Sequence, residues 1–164
     1  MAIISLRLPL FLTILLCAPA LAQTAGAPPA PTDKAVDFSQ AEIEAAAEFL
    51  AAEGILTKRL LEGGVFSVNV RHIEAAETAL QHGRITEVWV VREGEGLLVT
   101  GGTIVNAEPG AGPGEWRGTA IAGGVERQIK AGDVIFIPPG VPHGIRQTAA
   151  ITYLNIRFEA RQPD

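Results

Sequence analysis

The chain has 164 residues, the length of a single domain, with 13 basic and 18 acidic side chains and a net charge of −5. An acidic chain without a run of lysines or arginines is not expected to bind nucleic acid through a charged patch. The 18 glycines and 11 prolines favour a fold of short strands and many turns over a helical bundle.

The chain begins with a segment typical of a secretory signal peptide. A single basic residue, Arg7, precedes an apolar run over residues 8–18, and Ala20-Leu21-Ala22 supplies small residues for cleavage. We predict cleavage after Ala22, so that residues 1–22 are removed and the protein is periplasmic or secreted. The single cysteine, Cys17, would be removed as well, which leaves no disulfide in the mature chain.

Two alternatives for this segment are less favoured. An uncleaved membrane anchor would need an apolar run of ~20 residues, and this one is shorter. A lipoprotein would need small residues before Cys17, where Leu15 and Leu16 stand instead. We therefore expect no stable membrane anchor after processing.

An Ala/Pro-rich spacer and one helix are predicted next. Residues 23–38 contain three prolines and no core pattern, which is typical of a flexible or polyproline-like spacer. Ser39 and Glu42 form the pattern of a capping box, and Gly54 ends the helix, which spans residues 39–53. Its apolar positions predict a short amphipathic helix packed outside a sheet, namely Ile43, Ala46, Ala47 and Leu50.

From Ile55 onward the apolar period changes to two, which predicts an all-β domain of about eight to ten short strands, an antiparallel sandwich or barrel. Phe66, Val68 and Val70 alternate with polar residues and are interpreted as the core-facing side of one strand. Gly101-Gly102 and Gly123-Gly124 each lie between two apolar runs and are predicted to be hairpin turns. The barrel domain with its helix is predicted to span residues 39–164.

Ligand-capable side chains are few, and three of them predict a metal site. His82 precedes Glu87 by five positions, and His143 follows a rigid Pro-Pro-Gly turn. Two neutral imidazoles and one carboxylate are the ligand set of the facial-triad iron enzymes. The alternative is that Glu87 lies at an exposed strand start, with His82 in a polar turn and His143 on the surface.

Two motifs in this chain resemble those of the cupins. The second cupin motif resembles residues 132–143, in which Gly132 is followed after five residues by Pro138-Pro139-Gly140 and after two more by His143. Glu87, six residues and Gly94 look like the end of the first, and His82 falls where that motif has its second histidine. The resemblance covers roughly residues 64–158 and implies a cupin jelly-roll or β-barrel with the predicted helix packed outside.

The resemblance also implies a cofactor. In small exported cupins with a lone histidine in the first motif, the ligands would be His82, Glu87 and His143, holding a divalent transition metal such as Fe, Mn, Ni or Zn. The chain departs from the family pattern at Leu80, where the first motif histidine is expected, and at Gln147, where an Asn is expected.

Three further residues are candidates for the site. His72 shares strand parity with Val70 and is a candidate fourth ligand or a rim histidine. Trp89 shares the parity of Glu87 and would line the pocket wall or the plain core. Tyr153 is a candidate acid, base or pocket residue.

The last strand alternates between Tyr153, Asn155 and Arg157 on one face and Leu154, Ile156 and Phe158 on the other. We expect the apolar face to be interior, which leaves Arg157 outside; with the polar face interior, Arg157 could clamp an anionic substrate. Arg84 and Glu115 lie in predicted loops and are expected to be solvated.

Three functions fit these features. The first is an exported cupin that binds a divalent metal and acts on a small molecule, as an oxygenase, isomerase or lyase type of enzyme. The second is a non-catalytic cupin that binds a sugar or an organic acid. The third is a barrel that mainly assembles into a homodimer.

Overall fold

A computed structural model describes residues 28–159, so the predicted signal peptide, its cleavage position and Cys17 lie outside the described residues. Helix α1 spans Gln40–Glu53. It precedes eleven strands: β1 (Thr57–Glu62), β2 (Phe66–Ile73), β3 (Ala79–Gln81), β4 (Ile85–Thr100), β5 (Thr103–Val105), β6 (Glu108–Pro109), β7 (Trp116–Gly118), β8 (Ala120–Ala122), β9 (Val125–Lys130), β10 (Val134–Ile137) and β11 (His143–Glu159). No helix between residues 28 and 159 has the length and apolarity to cross a bilayer.

Two long antiparallel strands, β4 and β11, form the spine of the barrel. They pair with each other from Ile85↔Glu159 to Thr100↔His143, with three bulges that curve the ladder. The other edge of β4 carries β10 and then β9, and the other edge of β11 carries β2 and then β3. The prediction of an all-β antiparallel barrel with one helix is confirmed.

The helix lies where the capping box places it. The Ser39 hydroxyl accepts from the Glu42 N–H, and the Glu42 carboxylate accepts from the Ser39 N–H, so two backbone N–H donors that no helix carbonyl can reach gain partners. Gly54 ends the helix in the left-handed conformation, with φ of 64°. The four predicted apolar residues form a buried cluster with Val70 of β2, and Leu154 of β11 packs against it.

Part of the predicted spacer is tied to the sheet. The Ala30 N–H donates to the Glu62 oxygen at 2.7 Å, and the Glu62 N–H donates to the Pro28 oxygen at 3.3 Å. Pro29 thereby forms a parallel bridge with the last residue of β1. Residues 28–30 therefore extend the sheet, while the rest of the spacer before them lies outside the described residues.

The polar faces of β2 and β11 line the barrel interior, which reverses the expectation from the sequence. The residues of these strands that share a face with Glu87 are Ser67, Asn69, Arg71, Tyr153, Asn155 and Arg157. Helix α1 is the reason: it covers the opposite face, so Val70 is buried and Leu154 is partly buried under the helix instead of inside the barrel. Alternation predicted two faces correctly but could not show that a helix would cover the apolar one.

The sequence predicted hairpin turns at Gly101-Gly102 and Gly123-Gly124, and this prediction is wrong, because the strands on either side of each pair do not pair with each other. β4 pairs with β9 and β5 pairs with β8, so both glycine pairs mark points where a strand leaves one sheet for the other. These turns lie side by side, and they are so close that a Cβ on Gly102 would stand only 2.3 Å from the Ala122 carbonyl oxygen. Turn residues indicate a change of direction but do not reveal which strands pair.

The cluster under the helix generates a stability prediction. We expect Leu50→Ala to lower the free energy of unfolding by about 2–5 kcal/mol, because it removes a fully buried side chain from a packed cluster; Leu50 is only 1% exposed. The matched control is Phe49→Ala, since Phe49 is 45% exposed and is expected to cost less than about 1 kcal/mol. Urea denaturation of both variants measures this, and equal losses would contradict the packing described here.

Candidate metal centre

The structure brings the three predicted ligands together at one end of β4 and β11. His82 lies in the turn between β3 and β4, Glu87 is near the start of β4, and His143 is the first residue of β11. One nitrogen from each imidazole and one carboxylate oxygen all lie within 4.8 Å of one another. This buried His-Glu-His group could hold a metal ion.

The Pro-Pro-Gly turn positions both histidines. Gly140 adopts a left-handed conformation with φ of 77°, and its N–H donates to the His82 carbonyl oxygen at 2.8 Å. The Val141 carbonyl oxygen accepts from Nδ1 of His143 at 2.9 Å. The second motif therefore holds His143 directly and His82 through its backbone.

Glu115 is the residue that sequence analysis missed. It was expected to be solvated, but its carboxylate bonds Nδ1 of His82 and its side chain is only 25% exposed. The loop before β7 reaches His82 because two glycines meet there: a Cβ on Gly83 would stand 2.8 Å from the Gly114 Cα. The available signal was that each partner adjoins a glycine, as His82-Gly83 and as Gly114-Glu115.

These contacts determine which ring nitrogen faces the carboxylate. A carbonyl and a carboxylate oxygen only accept hydrogen bonds, so Nδ1 carries the hydrogen in both His143 and His82. Nε2 of His82 then lies 3.3 Å from Oε1 of Glu87, and Nε2 of His143 lies 3.5 Å from Oε2. Nε2 of His143 is buried and has no hydrogen-bond partner among residues 28–159. In the neutral rings, two lone pairs face one carboxylate, which is unfavourable without a cation or a proton between them.

The Glu87 carboxylate is buried and ionised. Its side chain is 3% exposed, and burial raises the pKa of Glu87. Imidazoles of His143 and His82 that carry a proton on Nε2 donate to the carboxylate and lower that pKa by more, so that it lies well below its usual range. The indole N–H of Trp89 donates to Oε2 at 2.7 Å. Nε of Arg157 lies 2.9 Å from Oε1, so a cation of the chain also faces this carboxylate.

Trp89 and Tyr153 form the wall of the site. Trp89 is 2% exposed, its ring meets that of His143 edge-on with centroids 5.7 Å apart, and it stacks on Tyr153 at 4.3 Å. Burial raises the pKa of the Tyr153 phenol well above its usual value, so Tyr153 stays neutral. Trp89 thus belongs to the buried core cluster and also contacts His143, so both interpretations offered by the sequence apply to it, and Tyr153 lies behind it.

His72 is on the other side of the sheet from the ligand group. It shares the face of Val70, and its Nδ1 bonds the Thr152 hydroxyl at 2.9 Å, while Nε2 lies 3.4 Å from Glu74. This histidine is therefore a rim residue beside helix α1. Leu80 pairs directly with His143, so the position where a fourth ligand was expected adjoins the site but offers no ligand atom.

The barrel and the His-Glu-His group are those that the resemblance of the two motifs to cupins implies. Residues 117–162, which include His143 and Arg157, match the family described as AraC-like ligand binding domain. No curated protein matches the chain.

The chain is similar to solved structures of low sequence identity. A protein from Bacillus halodurans is 17% identical, with 78% of this chain and 85% of that chain covered and a TM-score of 0.53. A cupin protein from Bacteroides fragilis is 15% identical, covering 82% of this chain and 91% of that one, with a TM-score of 0.49. A cupin 2 conserved barrel domain protein from Rhodopseudomonas palustris is 18% identical, covering 65% and 62%, with a TM-score of 0.43. The first of these structures, with a TM-score above 0.5, shares the fold of this chain, and the predicted jelly-roll or β-barrel with one helix packed outside is confirmed.

Proposed function

We propose that this chain is an exported cupin that binds one divalent transition metal through His82, Glu87 and His143 and acts on a small molecule in the barrel. The observation that supports the metal is the orientation of the two imidazoles. Both turn Nε2 toward a buried carboxylate while Nδ1 is tied to an acceptor. A cation among these three groups would relieve the repulsion between the lone pairs and the carboxylate and would match the donor set preferred by Fe, Mn, Ni or Zn.

In such a site the metal and the surrounding residues would have separate roles. A bound divalent metal would supply a Lewis acid, and three protein ligands leave coordination positions for water or a small molecule. Glu115 and the Val141 carbonyl hold the imidazoles in the tautomer that presents Nε2. Trp89 fixes Glu87 by a hydrogen bond and, stacked on Tyr153, excludes water from one side.

A second function, non-catalytic binding of a small molecule, is favoured by two observations. The matching family is described as a ligand binding domain, and Arg157 lies 2.9 Å from Glu87, so the carboxylate has a partner without a metal. Turnover separates the two functions. A ligand that raises Tm and is recovered unchanged supports binding, whereas product formation supports the enzyme.

Metal uptake tests the proposed centre directly. We expect the mature chain to bind one metal ion and His143→Ala to reduce uptake to background, because the site loses one of three ligands. The matched control is His72→Ala, which should retain uptake since His72 bonds Thr152 instead. Metal content is measured by mass spectrometry after separate loading with Fe, Mn, Ni and Zn. Equal loss in both variants, or no uptake by the parent chain, would rule out this centre.

The role of Glu115 gives a second test. We expect Glu115→Gln to weaken metal affinity by about 10–100-fold, the usual effect of removing the acceptor behind a histidine ligand. Glu108→Gln is the control, since Glu108 lies in β6 just before that loop, with its side chain 69% exposed and Arg117 as its ion-pair partner among the described residues. Affinity is measured by competition with a chromophoric chelator. Unchanged affinity in Glu115→Gln would show that His82 needs no such support.

Export is supported by the sequence pattern of residues 1–22, which lie outside the described residues. We expect the protein recovered from the periplasm or medium to begin at Gln23, because the small residues before it fit a cleavage site. Intact-mass spectrometry measures this, and a full-length mass in the membrane fraction would indicate an anchor instead. Homodimer formation likewise stays a prediction.

A further inference from the structure

A cavity opens at the end of the barrel next to the candidate metal centre. Its volume is about 240 Å³, enough for a molecule of a few heavy atoms, and its lining includes Arg59, Glu62, Ser67, Ile85 and Arg157. The Arg157 side chain is 27% exposed. One side chain thus belongs both to the cavity wall and to the site.

Arg157 reaches the centre through its guanidinium. Nε lies 2.9 Å from Oε1 of Glu87, and Nη2 lies 3.3 Å from Nδ1 and 3.4 Å from Nε2 of His82. Nε is buried and makes no well-aligned hydrogen bond within residues 28–159. A guanidinium has five N–H donors, so this one has donors left for an acceptor in the cavity.

The other charged residues of the cavity wall already have partners. Glu62 forms an ion pair with Arg59 and also accepts the Gly64 N–H at 3.0 Å. Arg59 additionally donates to the Asn69 side chain at 3.4 Å. Among the described lining residues, Arg157 is therefore the charged group whose partner belongs to the metal centre.

Metal binding would change the charge balance around Arg157. Without a metal, Arg157 and Glu87 offset each other. A divalent ion bound by Glu87 and two neutral histidines adds two positive charges, and Glu115 beside His82 offsets one of them. The remaining positive charge is partly buried, and such charges are costly unless a counter-charge is near.

We propose that the cavity takes a small carboxylate-bearing molecule, held by the guanidinium of Arg157, and that small carboxylates are the ligand class of this centre. Planar guanidinium groups bind carboxylates with two parallel hydrogen bonds, and one such group matches one net positive charge. The inference rests on the proposed metal site, because the metal supplies the charge that the carboxylate offsets.

The experiment uses the mature chain loaded with zinc and titrated with glycolate by calorimetry at constant ionic strength. Glycolamide is the matched neutral probe, since it offers the same hydroxyl and a carbonyl oxygen to a metal but carries no charge. Inorganic phosphate is the third probe and distinguishes a carboxylate site from a general anion site. We expect glycolate to bind clearly more tightly than either.

The variants are Arg157→Gln, Arg157→Lys and the control Arg84→Gln, whose arginine pairs with Glu159 and has a side chain 64% exposed. We expect Arg157→Gln to weaken glycolate binding by about tenfold or more, as for loss of one charge-assisted hydrogen bond. Arg157→Lys should fall between this variant and the parent chain, and Arg84→Gln should stay within about twofold of the parent chain.

Zinc affinity supplies a readout that a folding defect would not reproduce. Removing the positive charge beside Glu87 should tighten zinc binding in Arg157→Gln, since like charges repel, while glycolate binding weakens. A damaged barrel would lose both.

Two kinds of failure are distinguishable. If the parent chain takes up none of Fe, Mn, Ni and Zn, the proposed metal centre fails and this inference fails with it; if it takes up one of the others but not zinc, that metal replaces zinc in the titrations. If zinc binds but Arg157→Gln leaves glycolate affinity unchanged, or glycolamide or phosphate binds as tightly as glycolate, this inference alone is overturned.

Discussion

An ionised carboxylate inside a barrel has to be met by donors or cations, and the surroundings of Glu87 follow from that requirement. Four side chains from separate parts of the chain converge on its two oxygens: His82, His143, Trp89 and Arg157. Each is in turn held by something else, as His143 is by a carbonyl and His82 by Glu115. The interior of this domain is organised around one negative charge, and the aliphatic core packs beside it.

Helix α1 allows the barrel to have a polar interior, because it buries the apolar face of the same strands from outside. A strand with one polar and one apolar face normally turns the apolar face inward, and the sequence of β11 was interpreted in that way. Because the helix covers Val70 and Leu154 from outside, those strands bury apolar side chains on their outer face and still present polar ones inside. Two separate apolar layers, one within the barrel and one beneath the helix, leave room for Asn69, Asn155 and Arg157 around the site.

The sequence predicted local features well and long-range ones less well. The capping box of α1 and the spacing of the second motif depend on residues a few positions apart, and both were correctly predicted. The ligand group followed from the family resemblance, which supplied the long-range pairing that spacing alone does not contain. Contacts between distant segments were missed: Glu115 with His82, and the inward face of β11. In a single sequence, the flanking glycines are the only sign of the contact between Glu115 and His82. Which face of β11 points inward depends on the helix that covers the other face.

The order of the candidate ligands along the chain has a consequence for assembly. His82 and Glu87 lie about sixty residues before His143, and they meet it only when β11 pairs with β2 and β4. Pairings between such distant segments close late in folding, because the loop entropy has to be overcome first. A chain that folds progressively from its N-terminus therefore lacks His143 at this group until β11 pairs with the sheet. Any ion bound by this group would therefore come from the compartment in which β11 completes the barrel.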